Sequence, residues 1–317
     1  MLVGRGVNSA YTRSFARSRN LGDQRMSSEF ELETPSGLKD ALRLLAEGNA
    51  TPLAGGTNLM IDLRAKRQRP SRIVALGHLD ELRGIRFDRG KVVVGSRTTV
   101  TDLLRSPELA IAGPSLLDAA RLFAGQMVRN AGTIGGNIAC ASPAADLVPP
   151  LMSLDADVTL ASASGSRTVA LADYFLGYKK DVRKSDELIT QVSWTHPSPR
   201  TANGFYKLAR RRGDAITVVG VAVTLSASNG KCDHARVALS AVSPCVIRAT
   251  KAEHILQGQV PTAELIEAAA IQAAAQCSPI DDVRASAQYR RHAVHVLTRR
   301  LVSHIWNNLD QGSAGSA

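Results

Sequence analysis

The most constraining feature of this chain is a segment in which small side chains follow a definite pattern. It covers residues 130–146 and reads NAGTIGGNIACASPAAD; we name it the second glycine segment. Small residues are too frequent here for a core element, and the pattern is too definite for a linker. Gly135 and Gly136 permit positive backbone angles and leave N–H groups open to a ligand. Hydroxyl, amide and carboxyl groups accompany them, at Thr133, Asn137 and Asp146. The segment therefore predicts a loop that holds an anionic, hydroxyl-rich ligand.

The length and the cysteine pattern limit the class of protein. A chain of 317 residues can bury two or three hydrophobic cores, so we expect more than one domain. No apolar run approaches the roughly 20 residues that a membrane-spanning helix needs, so we expect no membrane span. The four cysteines are scattered and form no C-x-x-C pair, so their spacing predicts neither a zinc nor an iron–sulfur site. This pattern is typical of a reducing compartment, and we predict a cytoplasmic protein.

The formal net charge of +11 raises the question of nucleic-acid binding. Part of the excess is local, because residues 1–25 contain five arginines and one aspartate. Aromatic residues make up 4% of the chain, and no basic stretch is interleaved with the stacking residues that single-strand binders need. We therefore expect no nucleic-acid partner, and we attribute the surplus charge to a basic face that meets acidic partner subunits.

Both ends of the chain are predicted to lie outside the folded domains. The arginine- and serine-rich N-terminus lacks the apolar stretch of a secretory signal. A strand-like alternation starts shortly after Met26, at residues 29–32. We interpret residues 1–28 as a disordered or non-native extension, with a translation start at Met26 as one hypothesis for it. Residues 307–317 are predicted to be a disordered tail.

Another glycine-bearing segment follows a predicted strand–helix–strand unit. The helix is predicted from Leu38 to about Gly48, after a cap at Ser36, and a short strand covers residues 51–53. Residues 53–59 read LAGGTNL, and we name them the first glycine segment. Their spacing matches neither the G-x-G-x-x-G of a Rossmann turn nor a P-loop. Taken alone, this segment favours an ordinary tight turn over a binding site.

Beyond these segments, short strands and helices alternate until the pattern changes near residue 200. A hairpin is predicted at residues 85–95, with its turn at 88–90, and helices are predicted at 115–123 and 147–154. Later, antiparallel strands at 216–225 and 235–242 precede three helices, at 251–256, 262–276 and 287–306. We predict two α/β subdomains, at 29–82 and 83–200, and a C-terminal domain at 201–306.

Four motifs occur in order along the chain. They are LAGGTNL at 53–59, FAGQMVR at 123–129, TIGGN at 133–137 with Ser142-Pro143 and Asp146, and Lys207 with the run from Arg210 to Asp214. Together they resemble the FAD-binding medium subunit of molybdenum hydroxylases. That family includes the medium subunit of carbon monoxide dehydrogenase and the flavin domain of xanthine dehydrogenase. The resemblance covers roughly residues 29 to 305, and four motifs at compatible distances are more specific than any one of them.

The resemblance implies an α+β fold. A two-subdomain FAD-binding domain of the vanillyl-alcohol-oxidase (p-cresol methylhydroxylase) type would precede a C-terminal domain with a small antiparallel sheet and helices. Both glycine segments would hold the pyrophosphate of FAD, and Asp146 would accept a hydrogen bond from a ribitol or ribose hydroxyl. Phe123, Ile189 and Lys207 match positions that line the flavin or the adenine. The implied cofactor-binding residues are Leu53, Ala54, Gly55, Gly56, Thr57, Asn58, Leu59, Phe123, Thr133, Ile134, Gly135, Gly136, Asn137, Asp146, Ile189 and Lys207.

Several candidate residues also have an ordinary structural interpretation. Phe123 is consistent with a core aromatic residue and Lys207 with a solvated surface charge. Asp146 could cap the helix that follows it, since aspartate is common before an apolar run. Cys140 is interpreted as a small buried residue near the second glycine segment.

The implied function is electron transfer by bound FAD, with no catalytic residue of the chain's own. The implied partners are a large molybdopterin-binding subunit and a small 2Fe–2S iron–sulfur subunit, arranged as a dimer of heterotrimers. His292 and His295 have helical i, i+3 spacing but no third ligand near them in sequence, so we expect no metal site. Some relatives have an aromatic residue directly after the Gly213-Asp214 pair, where this chain has Ala215. That departure leaves open what covers the exposed face of the flavin.

Two other functions are consistent with the sequence. A self-contained FAD-dependent oxidoreductase would need acid and substrate-binding residues in the C-terminal domain, where no such set is evident. A non-catalytic nucleotide-binding scaffold would keep the glycine segments and bind no flavin. Release of FAD from the purified protein would exclude the scaffold function. Oxidation of a small substrate by the isolated chain would indicate the self-contained enzyme.

Overall fold

The computed structural model describes residues 30–211 and 213–314, so the predicted extension at 1–28 lies outside the described residues. The strands are β1 Glu31–Glu33, β2 Ala50–Leu53, β3 Arg72–Ala75, β4 Ile85–Asp88, β5 Lys91–Gly95, β6 Asp157–Ser162, β7 Gly165–Ala170, β8 Phe175–Gly177, β9 Lys180–Asp181, β10 Leu188–Thr195, β11 Thr201–Ala209, β12 Thr217–Ser228, β13 Lys231–Ser240 and β14 Ile247–Arg248. The helices are α1 Leu38–Ala46, α2 Leu59–Arg64, α3 Val100–Arg105, α4 Leu109–Ala112, α5 Pro114–Arg121, α6 Gln126–Ala131, α7 Ile134–Ala139, α8 Val148–Ser153, α9 Thr250–Leu256, α10 Ala263–Ala275 and α11 Ala287–Ala314.

The first sheet is parallel, in the order β1-β3-β2, and β2 leads directly into the first glycine segment. Helix α1 packs against this sheet through an apolar face at Ala41, Leu42, Leu44 and Leu45. The predicted cap at Ser36 is wrong, because Gly37 precedes α1 and makes no side-chain hydrogen bond. The Glu81 carboxylate accepts from the Leu38 N–H instead, so a distant side chain satisfies the start of this helix.

The second sheet is antiparallel, in the order β4-β5-β10-β6-β7. The predicted hairpin is confirmed as β4–β5, with Arg89 (φ 47°) and Gly90 (φ 76°) in its turn. Helices α3, α4, α5, α7 and α8 contribute buried apolar residues to the core beside this sheet, and every residue of α8 is buried. Pro149 and Pro150 lie in the first turn of α8, where backbone N–H groups need no helical acceptor. The prolines therefore help to start the helix that follows the second glycine segment.

The third sheet is antiparallel, in the order β11-β12-β13-β14, and α9, α10 and α11 match the three predicted helices. The predicted tail is wrong for residues 307–314, which continue α11. Trp306 is buried and Leu309 packs against the same apolar cluster, so the helix is stabilised beyond its predicted end. Within the part of the chain that the structure describes, no helix is both long and apolar enough to cross a membrane.

The C-terminal domain packs on the second sheet's helices through β12 and β13. Thr224 Oγ1 on β12 lies 3.1 Å from Ser153 Oγ on α8. Asp155, just after α8, accepts from Arg236 Nε and from Arg248 Nη1, each at 2.8 Å. These contacts fix α8 at the domain interface, and the end of the second glycine segment lies at the other end of this helix.

Candidate functional site

The first glycine segment turns the chain from β2 into α2. Gly56 has φ +68°, a left-handed conformation that other residues rarely adopt. Within residues 30–211 and 213–314, the backbone N–H groups of Gly55, Gly56, Thr57 and Asn58 find no hydrogen-bond acceptor. The segment therefore presents a run of free donors, which is the arrangement that binds anions.

The second glycine segment is a helix at its centre, although the sequence predicts a loop. Thr133 caps α7, and its Oγ1 accepts from the Gly136 N–H at 3.0 Å. The Ile134 N–H donates to the Thr98 carbonyl at 3.0 Å, and the Gly135 N–H donates to the Ser96 carbonyl at 2.9 Å. Gly135 and Gly136 do not use the positive backbone angles that glycine permits, because both residues are helical. Their N–H groups are engaged within the chain, so this segment offers a backbone surface rather than free donors.

The two glycines of α7 serve different purposes. A Cβ atom on Gly135 would lie 2.6 Å from Ser96 Cβ and 2.8 Å from the Ser96 carbonyl oxygen, so this position must be glycine for α7 to pack against the end of β5. Gly136 is exposed, and a Cβ atom there would meet Thr133 Oγ1 at 2.9 Å. Because Gly136 has no side chain, its backbone is accessible beside the capping residue Thr133.

The fold brings the two glycine segments into contact. Gly55 lies so close to the backbone of Ala131 and Gly132 that a Cβ atom on Gly55 would overlap the Ala131 carbonyl oxygen. A Cβ atom on Gly132 would lie 3.8 Å from Thr57 Oγ1. The free N–H groups of the first glycine segment therefore adjoin the start of α7, and segments distant in sequence form one surface.

Two residues of the C-terminal domain hold the Asp146 carboxylate. Lys207 Nζ on β11 donates to Oδ2 at 2.7 Å, and Thr217 Oγ1 on β12 donates to Oδ1. Asp146 is 7% exposed and the Lys207 side chain is 4% exposed. Burial raises the pKa of the Asp146 carboxyl above its ordinary value, and the Lys207 ammonium and the Thr217 hydroxyl oppose this rise. The site therefore contains a buried, hydrogen-bonded ion pair.

This geometry corrects two structural interpretations of the sequence. Lys207 is not a solvated surface charge, because it is buried and also donates to the Leu122 carbonyl at 3.0 Å. Asp146 does not cap α8, whose N-cap is Leu147 and makes no side-chain hydrogen bond. Asn137 Oδ1 instead accepts from the Leu147 N–H at 3.2 Å, so Asn137 joins α7 to the start of α8.

Phe123 lies beside the same surface. Its side chain is partly buried against the main core, and a Cβ atom on Gly132 would lie 3.6 Å from Phe123 Cε1. Arg129 Nη1 donates to the Phe123 carbonyl at 2.8 Å and to the Ala124 carbonyl at 2.6 Å, which stabilises a turn with Ala124 at φ 32°. Phe123 therefore contacts the core and is also placed beside the glycine segments.

Ile189 approaches the site from β10. It is 3% exposed, and the carbonyl of the next residue, Thr190, accepts from the Ser96 N–H at 2.9 Å. Ser96 in turn contacts Gly135, so Ile189 lies behind α7 and supports it from the core side.

Cys140 and His295 make side-chain contacts outside the surface formed by the two glycine segments. Cys140 is half-buried rather than buried, and its Sγ lies 3.1 Å from Lys179 Nζ. His295 Nε2 lies 2.7 Å from Glu267 Oε1. Among the described residues, no three histidine, cysteine or acidic side chains are grouped to bind a metal ion.

Sequence reasoning missed three residues that shape the site: Ser96, Arg129 and Thr217. Arg129 is the last residue of the FAGQMVR motif, and that motif was the sequence signal that could have identified it. Thr217 is a polar residue directly before the apolar run Val218–Val223, which is a weak signal. Ser96 has no sequence signal, because its role depends on the close packing of β5 against α7.

Comparison with known families identifies this arrangement. Residues 28–194 match the family described as FAD binding domain in molybdopterin dehydrogenase, and residues 204–305 match the CO dehydrogenase flavoprotein C-terminal domain. The chain belongs to the molybdopterin dehydrogenase FAD-binding family. Membership confirms the predicted fold class and FAD as cofactor, and it makes the chain the FAD-containing electron-transfer subunit of an oxidoreductase.

Individual relatives support this membership over almost the whole chain. The carbon monoxide dehydrogenase medium chain of Hydrogenophaga pseudoflava is 32% identical, over 87% of this chain and 97% of that protein. The nicotinate dehydrogenase FAD-subunit of Eubacterium barkeri is 30% identical, over 90% of this chain and 98% of that protein. A solved structure of carbon monoxide dehydrogenase from Hydrogenophaga pseudoflava matches with a TM-score of 0.85 and 33% identity, over 88% of this chain and 98% of that chain. Quinoline 2-oxidoreductase from Pseudomonas putida 86 matches with a TM-score of 0.82 and 29% identity, with the same coverage.

The residues at the site fit FAD. Free N–H groups and backbone without side chains suit a pyrophosphate, whose oxygens accept hydrogen bonds at close range. Each oxygen of the Asp146 carboxylate accepts one hydrogen bond in the chain and keeps a further lone pair, which suits a hydroxyl donor such as those of ribitol.

We expect Asp146→Ala to weaken FAD binding by about 1–3 kcal/mol, or about 5- to 150-fold in Kd. The change removes an acceptor and leaves the buried Lys207 ammonium without its carboxylate. Titration of the apoprotein with FAD measures the effect. Asp155→Ala is the control, because it removes a carboxylate at the other end of α8. It should lower Tm and leave the Kd unchanged. An unaltered Kd in Asp146→Ala would exclude Asp146 from the binding surface.

Proposed function

We propose that this chain takes electrons from the iron–sulfur clusters of a partner subunit and passes them to an external acceptor through its FAD. The observation that carries this proposal is the contact between the two glycine segments. Gly55 meets Ala131 and Gly132, so free N–H donors and an exposed helical glycine form one surface of the kind that a dinucleotide pyrophosphate needs.

Bound FAD would supply reversible uptake and release of electrons. The chain's own residues bind and orient the cofactor and limit the access of water to it. We propose that the first glycine segment recognises the pyrophosphate charge through backbone dipoles, because the Asp146–Lys207 pair adds little net charge to the site. The proposed cofactor-binding residues are Leu53, Ala54, Gly55, Gly56, Thr57, Asn58, Leu59, Phe123, Thr133, Ile134, Gly135, Gly136, Asn137, Asp146, Ile189 and Lys207.

The chain works within a larger assembly. Its relatives are medium chains and FAD subunits of multi-subunit enzymes, which implies large and small partner subunits. We propose that these are a molybdopterin-binding large subunit and a 2Fe–2S small subunit, assembled as a dimer of heterotrimers in the cytoplasm. The four cysteines form no disulfide, which is in keeping with a reducing compartment.

Purification of the natively expressed chain tests the proposal. We expect a yellow protein from which acid releases FAD, and we expect the molybdopterin-binding subunit to purify with it. A colourless preparation without extractable FAD would contradict the cofactor assignment. Unaided oxidation of a small substrate by the isolated FAD-loaded chain would contradict the subunit role.

A further inference from the structure

We propose that Thr217, from the C-terminal domain, is a positioning residue that orients the Asp146 carboxylate for FAD and sets the lowest pH at which FAD is retained. This inference rests on the proposed function of the site. Thr217 is 1% exposed, and its hydroxyl donates to Asp146 Oδ1, while Lys207 donates to Oδ2. One donor on each oxygen fixes the plane of the carboxylate, whereas Lys207 alone would leave it free to rotate.

An irregularity in the third sheet places Thr217 where it can do this. Lys207 pairs with Gly220 and Leu208 with Val219, but Ala209 then pairs with Thr217, so Val218 is an extra residue on β12. Side chains alternate along a strand, so in regular register Thr217 would point to the face opposite that of Lys207. The bulge turns Thr217 to the face of Lys207, and the two side chains therefore reach the same carboxylate.

The bulge is itself held by a buried charge. Arg290 on α11 is 3% exposed, and its Nη1 donates to the Val218 carbonyl at 2.9 Å and to the Ala241 carbonyl at 2.7 Å. A carbonyl displaced from the regular ladder thus has a partner, which removes the cost of leaving it unpaired. The geometry at Thr217 is therefore built into the packing of the domain.

The surroundings of Asp146 make its ionisation sensitive to Thr217. Within the described residues, Lys207 on β11 is the charged side chain that faces this carboxylate, while α8 carries no charged residue and β12 presents the Thr217 hydroxyl. Burial favours the neutral acid, and both donors favour the carboxylate. Removing the hydroxyl therefore raises the pKa of Asp146. A ligand hydroxyl that donates to the carboxylate binds best above this pKa, so FAD is lost at a higher pH when Thr217 is replaced.

Release of FAD as a function of pH tests the proposal on the full-length protein purified with its cofactor. The midpoint of release is measured from pH 8 downward by flavin fluorescence after ultrafiltration. We expect Thr217→Val to weaken FAD binding about 3- to 10-fold near neutral pH. We also expect its release midpoint to lie about half to one pH unit above that of the wild type. Thr217→Ser keeps a hydroxyl and should restore the wild-type midpoint.

Thr224→Val is the matched control. Thr224 is buried on the same strand and forms a hydroxyl contact across the same domain interface, with Ser153, but it lies seven residues from Thr217. It should leave the midpoint unchanged. An unchanged midpoint in Thr217→Val, or an equal shift in Thr224→Val, would overturn this inference alone. A wild-type protein without FAD would overturn the proposed function as well.

Discussion

We expect the Gly136→Val protein to purify without FAD. Gly136 is the exposed glycine of α7, directly beside the cap residue Thr133. Valine would place a Cβ atom 2.9 Å from Thr133 Oγ1 and two methyl groups on the backbone surface that the pyrophosphate needs. The Thr133 hydroxyl must shift to admit this atom, and the higher helix propensity of valine offsets part of that cost. Absorbance of the purified protein in the flavin region measures the loss.

Thermal unfolding of the apoprotein shows whether cofactor loss or misfolding is responsible. The Tm of Gly136→Val apoprotein should fall only slightly below that of wild-type apoprotein, because only the Thr133 hydroxyl has to shift. Ala275→Val, which adds two methyl groups to an exposed position of α10, is the control and should retain FAD. Gly135→Val should lower the Tm much further, because its side chain would overlap the backbone of Ser96. A full flavin complement in Gly136→Val would show that α7 does not border the cofactor.

Gly55→Ala is expected to disturb the site as strongly by a different route. The added methyl group would overlap the Ala131 carbonyl oxygen, so the first glycine segment and the end of α6 must separate. Such overpacking destabilises by about 1–3 kcal/mol, and both segments would move away from the positions that they share around the ligand. We expect a lower Tm in the apoprotein and a loss of FAD affinity larger than that of Asp146→Ala. FAD titration and thermal unfolding of the same preparation measure both.

The result of Gly55→Ala also tests the contact between the two segments. A protein with wild-type Tm and wild-type affinity would mean that the segments do not touch in solution. A lower Tm with unchanged affinity would place the contact outside the binding surface.

The ligand class was predictable from the sequence because it depends on several short motifs taken together rather than on any one of them. Two glycine-bearing segments with hydroxyl and amide side chains indicate a backbone surface for an anion, and the four motifs in order resemble one family. Alternation and helical periodicity also located the β4–β5 hairpin and the three C-terminal helices, since these elements have local signals.

The conformation of the second glycine segment was not predictable by the same route. Glycine pairs are usual in turns, but here the cap at Thr133 and the contacts with Ser96 and Thr98 favour a helix over residues 134–139. Ser96 and Thr98 lie in the turn that follows β5, so propensity within the segment carries no information about them. The end of α11 was missed for a similar reason, because Trp306 and Leu309 find their apolar partners in the folded domain.

Strand register, rather than residue type, decides which side chains donate hydrogen bonds to the Asp146 carboxylate. Thr217 reaches the carboxylate because of one extra residue in β12, and a strand pattern does not reveal a bulge of this kind. The resemblance indicated Lys207 without showing that it is buried and paired.

Both hydrogen-bond donors to the Asp146 carboxylate are synthesised later than Asp146 itself. When a ribosome has completed residues 30–200, both glycine segments have been made, but Lys207 and Thr217 have not. The nascent chain then holds a carboxylate without either of its donors, so the cofactor site is completed only after β12 has been synthesised and paired. We therefore expect flavin loading to be a late step in the maturation of this chain. A fragment that ends before β11 would contain the complete FAD-binding match at 28–194 and still bind FAD poorly.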